Sequence, residues 1–287
     1  MLKRHKLKEY HSIFFHLASV VLWLWALSLL AVIFWAIMIS LTDGRDYALN
    51  PRLLFPENGF KFSNYAYAVT NLSVGGTSYM GMLFNTVWFT ISFCVVRLIV
   101  TLFAAYTFAF YHFKGRKYLY GFLILQMMLP VYGQTSANYT MLLNMGFIDT
   151  PLFLISCAAG HGMNFLMLHS FFSNLSHSYA EAARIDGAGE WRIFFQINMP
   201  LSKTLIVAMF LMMFVGVWND YQTILLYLPS YPTLATGLFR YKTLAAYTLD
   251  TPIYFAGIIM ASLPVALIFI IFNKTLMENL TLGGLKG

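Results

Sequence analysis

Charge is what this chain has least of. Asp, Glu, Lys and Arg make up 10% of its 287 residues, whereas a soluble domain carries about 25%. That excludes an ordinary water-soluble globule. Cysteine is nearly absent too. Cys94 and Cys157 both fall inside apolar runs, which reads as two buried small hydrophobes and argues against a disulfide framework or a metal site. His161 and His169 stand eight apart, which is not a metal-ligand spacing on one helix turn, and they read as hydrogen-bonded span residues. No nucleophile–base pair or Cys/His cluster is visible, so nothing points to a catalytic residue or a bound metal. The phosphate-binding pattern Gly-x-x-x-x-Gly-Lys-Ser/Thr is missing as well. If ATP drives anything this protein does, another chain binds it. Heptads and low-complexity tracts are lacking, and the segments do not pair into the inverted halves of many secondary transporters.

What the chain does have is hydrophobic length. Apolar residues make up 59% of it and gather into runs, six of which are read as membrane-crossing helices, at about 14–40, 82–110, 118–143, 151–172, 201–226 and 252–272. The expected fold is all-α, a six-span polytopic membrane protein. Residues 1–13 form a basic lead, 14–276 a membrane domain with a polar segment at 174–200, and 277–287 a tail. The first run is far longer than the ~7–15 residue core of a cleavable signal peptide, so it is expected to stay as a span. Pro130 inside the third run should kink or break it. Residues 43–79 and 228–251 are read as external loops. Orientation follows from the Lys and Arg count. Twelve fall in segments this topology puts inside and five outside; with Arg97 in a span they account for all 18. Both termini are therefore expected in the cytoplasm. The net charge of +7 is then a consequence of topology and no argument for nucleic acid.

The 174–200 segment carries the densest local signals. Ser178 followed by Glu181 fits a capping box, Gly187 stands where a left-handed C-terminal cap belongs, and Pro200 suits the first turn of a new helix. A short helix, a Gly turn, a second short helix and then a long one are expected. Glu181-Ala182-Ala183, three residues, Gly187, nine residues, Ile197, one residue, Met199-Pro200 resembles the EAA motif of ABC importer permeases, with Met199 where the family pattern has Leu. The flanking Arg184-Ile185-Asp186-Gly187-Ala188 is similar to the carbohydrate-uptake, maltose-type branch. The resemblance implies the type I importer permease fold. It also implies that Glu181, Ala182, Ala183, Arg184, Asp186, Gly187 and Pro200 belong to a coupling helix that docks on a cytoplasmic ATPase.

Two further places hold polar groups at depth. Arg97 lies near the middle of the second run, where an ionised side chain costs at least ~2.5–3.5 kcal/mol unless it faces the bundle or water. It reads either as lining a pathway or as bonding helices together. Trp218-Asn219-Asp220-Tyr221 resembles the Trp-Asn-acid element of sugar permeases; the other reading is an interfacial aromatic belt with a polar pair at a helix end. The resemblance implies half of a translocation pathway for an oligosaccharide in a bacterial cell membrane. It also implies a second permease subunit, two ATPase subunits holding ATP and Mg, and an extracytoplasmic sugar-binding protein. A secondary transporter or channel for a small polar solute is the alternative, and it would need charged relay residues at more depths than Arg97 and Asp220 supply.

Overall fold

A computed structural model describes residues 2–51, 54–129, 133–158, 162–176, 178–247 and 250–282. In chain order the elements are α1 (Leu2–Ser40), α2 (Gly44–Leu49), α3 (Ser63–Asn71), the two-residue strands β1 (Ser73–Val74) and β2 (Thr77–Ser78), α4 (Tyr79–Phe110), α5 (Arg116–Met128), α6 (Gln134–Asn144), α7 (Phe153–Cys157), α8 (Gly162–Asn174), α9 (Ser178–Ile185) and α10 (Glu190–Ile193). A π turn (Phe194–Asn198) follows, then α11 (Met199–Leu201), α12 (Lys203–Trp218), α13 (Gln222–Tyr227), α14 (Leu234–Tyr247) and α15 (Thr251–Leu282).

Three of these helices are each long and apolar enough to cross a membrane, over Phe14–Ser40, Tyr79–Phe110 and Thr251–Asn273. They match the first, second and sixth runs. The others are subdivided. The third run is carried by α5 and α6, and Pro130, expected to break it, lies outside the described residues. The fourth is shared by α7 and α8, and the fifth by α12 and α13. The expected external loop at 228–251 is largely the helix α14. Its buried Leu234, Leu238 and Tyr241 recur at helical spacing and so form one apolar face. That short stripe follows Pro229 and Pro232, and proline is a turn signal.

The chain divides into two compact units, Met1–Ser73 with Arg240–Ala261, and Val74–Phe239 with Ser262–Gly287. In the first, the end of α1 is fastened by polar bonds. The Asn64 amide donates to the Ser40 and Thr42 carbonyls at 2.9 Å each, and the Ser40 and Tyr65 hydroxyls meet at 2.8 Å. Asp43 accepts from the Arg45 N–H as the cap of α2 and pairs with Lys61.

The second unit is built around α4, against which α7, α8 and α12 pack. Toward residue 110 its buried face of Leu98, Leu102, Ala105, Tyr106 and Ala109 meets Phe165, Leu168, Phe172, Phe194 and Met209. Toward residue 79 a second cluster gathers Phe89, Leu142, Phe153, Cys157, Ile224 and Leu228. Both cysteines are buried and unpaired. As expected the His169 ring is hydrogen-bonded, to the Phe108 backbone, while its Nε2 lies buried beside Tyr120 and Phe165 with no partner among the described residues; His161 is outside them. The start of α14 is tied to α4: the Leu234 N–H donates to the Thr86 hydroxyl at 2.8 Å, and the Asn85 amide to the Pro232 carbonyl at 3.1 Å.

Candidate functional site

The polar segment folds as a helix, a Gly turn and a second helix. At the close of α9 the Gly187 N–H donates to the Arg184 carbonyl at 3.0 Å and the Ala188 N–H to the Ala183 carbonyl at 2.9 Å. These are the two bonds of a Schellman cap, with Gly187 at φ +80°. The start of α9 differs from expectation. The Ser178 N–H and hydroxyl lie 3.4 and 2.6 Å from the Ser176 hydroxyl, and no Ser178–Glu181 capping bond is seen among the described residues. Ser178 is already the first helical residue, one step past where a capping residue sits, so its hydroxyl turns back to Ser176.

Beyond α10 the ladder widens to i→i+5, with the Met199 N–H on the Phe194 carbonyl. Pro200 follows in the first turn of α11, where its missing N–H costs no bond. The Ser202 hydroxyl donates to the Asn198 and Met199 carbonyls, and the axis bends by 73° between Glu190–Leu201 and Lys203–Trp218. A π turn, a proline and a side chain inserted into the ladder are each recognised causes of such a bend.

This passage is seated on α4. Asn198, 2% exposed, donates its amide to the Tyr106 hydroxyl at 3.2 Å. Phe194 stacks on Phe103 with ring centres 5.0 Å apart and meets Tyr106 edge-on at 4.8 Å. Glu190 joins three elements: Oε1 accepts from Arg184 Nε at 2.8 Å, and Oε2 accepts from Arg184 Nη2 at 3.2 Å and from the Tyr111 hydroxyl at 2.7 Å. Arg184, then Tyr111, holds the Glu190 carboxyl below the usual carboxylate range, and Glu190 in turn raises the Arg184 guanidinium. Burial and the bond to Glu190 push the Tyr111 phenol up.

Of the residues singled out in the sequence, Glu181, Ala182, Asp186, Gly187 and Pro200 are exposed and Ala183 is half-buried. Arg184 is exposed but engaged with Glu190. Glu181 and Asp186 show no side-chain partner among the described residues. Two large apolar side chains stand beside them, Ile185 at 86% and Trp191 at 69% exposure. Sequence reasoning passed over Ile185, Trp191, Glu190 and Tyr111. Opposite charges flanking a Gly turn were a usable signal for Arg184–Glu190; nothing marked Tyr111, 79 positions from its partner.

The second group is less uniform. Arg97, half-buried on α4, lies over the Phe93 ring at 5.7 Å. Asp220 accepts from the Thr223 N–H at 3.0 Å and so caps α13. Trp218 is buried against Phe214, the Asn219 amide donates to the Val215 carbonyl, and Tyr221 stacks on Phe239 at 4.4 Å. Trp218 and Asn219 are thus engaged within their own stretch. Among the described residues no group of three or more His, Cys, Asp or Glu could hold a metal.

Comparison with known proteins follows the same lines. Residues 97–276 match the model of the binding-protein-dependent transport system inner membrane component family. The chain is 27% identical over 271 residues to the diacetylchitobiose uptake system permease protein of Streptomyces coelicolor, covering 93% of this chain and 87% of that protein. It is 32% identical over 215 residues to a maltodextrin transport system permease protein of Bacillus subtilis, covering 74% and 77%. Its fold is similar to a chain in the crystal structure of a bacterial ABC transporter involved in the import of the acidic polysaccharide alginate, with a TM-score of 0.72 and 23% identity over 91% of this chain and 96% of that one.

Proposed function

Because this chain belongs to the binding-protein-dependent transport system inner membrane component family, the permease subunits of ATP-driven importers, we propose that it carries an oligosaccharide and that residues 178–200 couple it to a separate ATPase. The permease is a multi-pass membrane protein whose own work is conformational. In this reading both termini and the 178–200 segment face the cytoplasm. A second, similar permease completes the pathway, two ATPase subunits hold ATP and Mg, and an extracytoplasmic binding protein delivers the sugar. Closure of the ATPases displaces the segment and rocks the spans between inward- and outward-facing states.

The observation that carries this reading is the shape of the segment. A preformed helix–turn–helix presents Glu181 and Asp186, which have no side-chain partner among the described residues, next to the largely exposed Ile185 and Trp191. Exposed apolar side chains rimmed by charge mark a surface built to be covered by a partner. The buried Asn198 and Phe194 root that surface in α4. The maltodextrin and diacetylchitobiose systems of the relatives support a sugar cargo. So do the amide, carboxylate and aromatic groups at Trp218, Asn219, Asp220 and Tyr221, which suit hydroxyls and apolar sugar faces.

The test is Glu181→Lys in the chain expressed with its partner subunits. Reversing a charge at a desolvated contact sets like charges together, while the spans are untouched. We expect a normal membrane level with lost sugar-stimulated ATP hydrolysis. Full stimulation with the ATPase still bound would refute the assignment.

A further inference from the structure

We infer that Glu190 is a positioning residue that clasps the coupling segment to the end of α4, so that displacement of α9 reaches α4 and is not absorbed in the turn between α9 and α10. The inference rests on the coupling reading above and goes beyond it. It withdraws Arg184 from the surface offered to the ATPase and makes it an internal strut.

The turn itself has little stiffness. It runs Asp186-Gly187-Ala188-Gly189, and two glycines in four residues leave the backbone wide freedom. Ala180 is the one fully buried residue of α9. Without a further tie, a push on α9 would hinge at the turn. The tie is the Glu190 carboxylate. Both of its oxygens bond Arg184 in a fork geometry, fixing the angle between the two short helices, and Oε2 also takes the Tyr111 hydroxyl. A forked guanidinium–carboxylate pair restrains direction as well as distance, which a single point charge does not.

Tyr111 is the residue that closes α4, its N–H on the Thr107 carbonyl. The bond from Glu190 therefore grips the last turn of that helix. Arg97 lies fourteen residues back along the same rod, roughly 21 Å at helical rise. The aromatic seat of Phe194 on Phe103 and Tyr106 holds the passage after α10; the Glu190 clasp extends that hold to α9. With side-chain exposures of 41% and 45%, the Arg184–Glu190 pair is too open to water to contribute much to stability. Its removal should change coupling and spare the fold.

The test uses the complete transporter in liposomes and reads ATP hydrolysed per solute imported. Tyr111→Phe removes one hydroxyl and Glu190→Gln one charge. We expect both to keep the membrane level and the bound ATPase while raising that ratio roughly fivefold or more, the lower range of an energetic coupling between sites. Their double variant should add little, because both cut the same link. In Tyr111→Cys with Glu190→Cys, a short bismaleimide bridge should bring the ratio back toward the parent value; Cys94 and Cys157 are buried and do not compete for the reagent. An unchanged ratio in Tyr111→Phe and Glu190→Gln, with Glu181→Lys uncoupled, overturns the clasp alone. Loss of ATPase binding in both also overturns it, by making Glu190 a docking contact. If Glu181→Lys is unaffected too, the coupling reading falls with it.

Discussion

Replacing Gly187 tests the link between one backbone angle and transport. At φ +80° the residue sits in the left-handed region, where a side chain costs an L-residue roughly 1–2 kcal/mol. An added Cβ would meet nothing within 4 Å, so crowding contributes nothing and the whole penalty is conformational. Gly187→Ala should therefore weaken the two cap bonds by about tenfold in population, the equivalent of about 1.4 kcal/mol. Asn enters this region more easily than most residues, so Gly187→Asn should be milder despite its larger side chain. Gly187→Val, β-branched, should be the most severe. Amide exchange at Ala188 reports the effect directly, because its N–H closes the wider turn of the cap, onto the Ala183 carbonyl. Exchange should quicken in the order Asn, Ala, Val, and sugar-stimulated ATP hydrolysis should fall in the same order at constant membrane level. Greater damage from Asn than from Ala would mean that size governs the site, and the argument from backbone sign would be wrong.

Two other substitutions probe the frame. A Cβ on Gly237 would overlap the Met82 Sδ, and Met82 is itself fully buried; Gly237→Ala should lower stability by about 1–3 kcal/mol in thermal unfolding of the detergent-solubilised protein, and an unchanged midpoint would refute the close approach. Asp220→Ala should lose about 1 kcal/mol of cap at α13, whereas Asp220→Asn keeps an acceptor for the Thr223 N–H and removes only the charge; reduced uptake in Asp220→Asn at normal membrane level assigns the charge to the pathway, and normal uptake assigns Asp220 to capping.

The helix–turn–helix of residues 178–200 was legible because its signals are local. A glycine at the end of a short amphipathic run and a proline thirteen residues later constrain their own backbone whatever surrounds them. The apolar runs of α1, α4 and α15 were legible for a similar reason, since hydropathy summed over twenty residues needs no knowledge of neighbours. The capping box failed where two local options competed: Ser176 lies two residues ahead of Ser178 and takes its N–H.

The sequence by itself determined a membrane protein with long apolar helices and a polar segment turned by Gly187 and carrying Glu181-Ala182-Ala183. Tertiary structure alone decided which of its charges are free. Arg184 and Glu181 look alike as exposed charges three positions apart, yet one is bound to Glu190, which also takes the Tyr111 hydroxyl, while the other has no partner among the described residues. The subdivision of the third, fourth and fifth runs and the helical state of 234–247 were settled the same way. Hydropathy measures how much a segment gains by leaving water, and that gain has no direction. Which partner a side chain meets depends on distances that exist only once α4, α8 and α12 have packed.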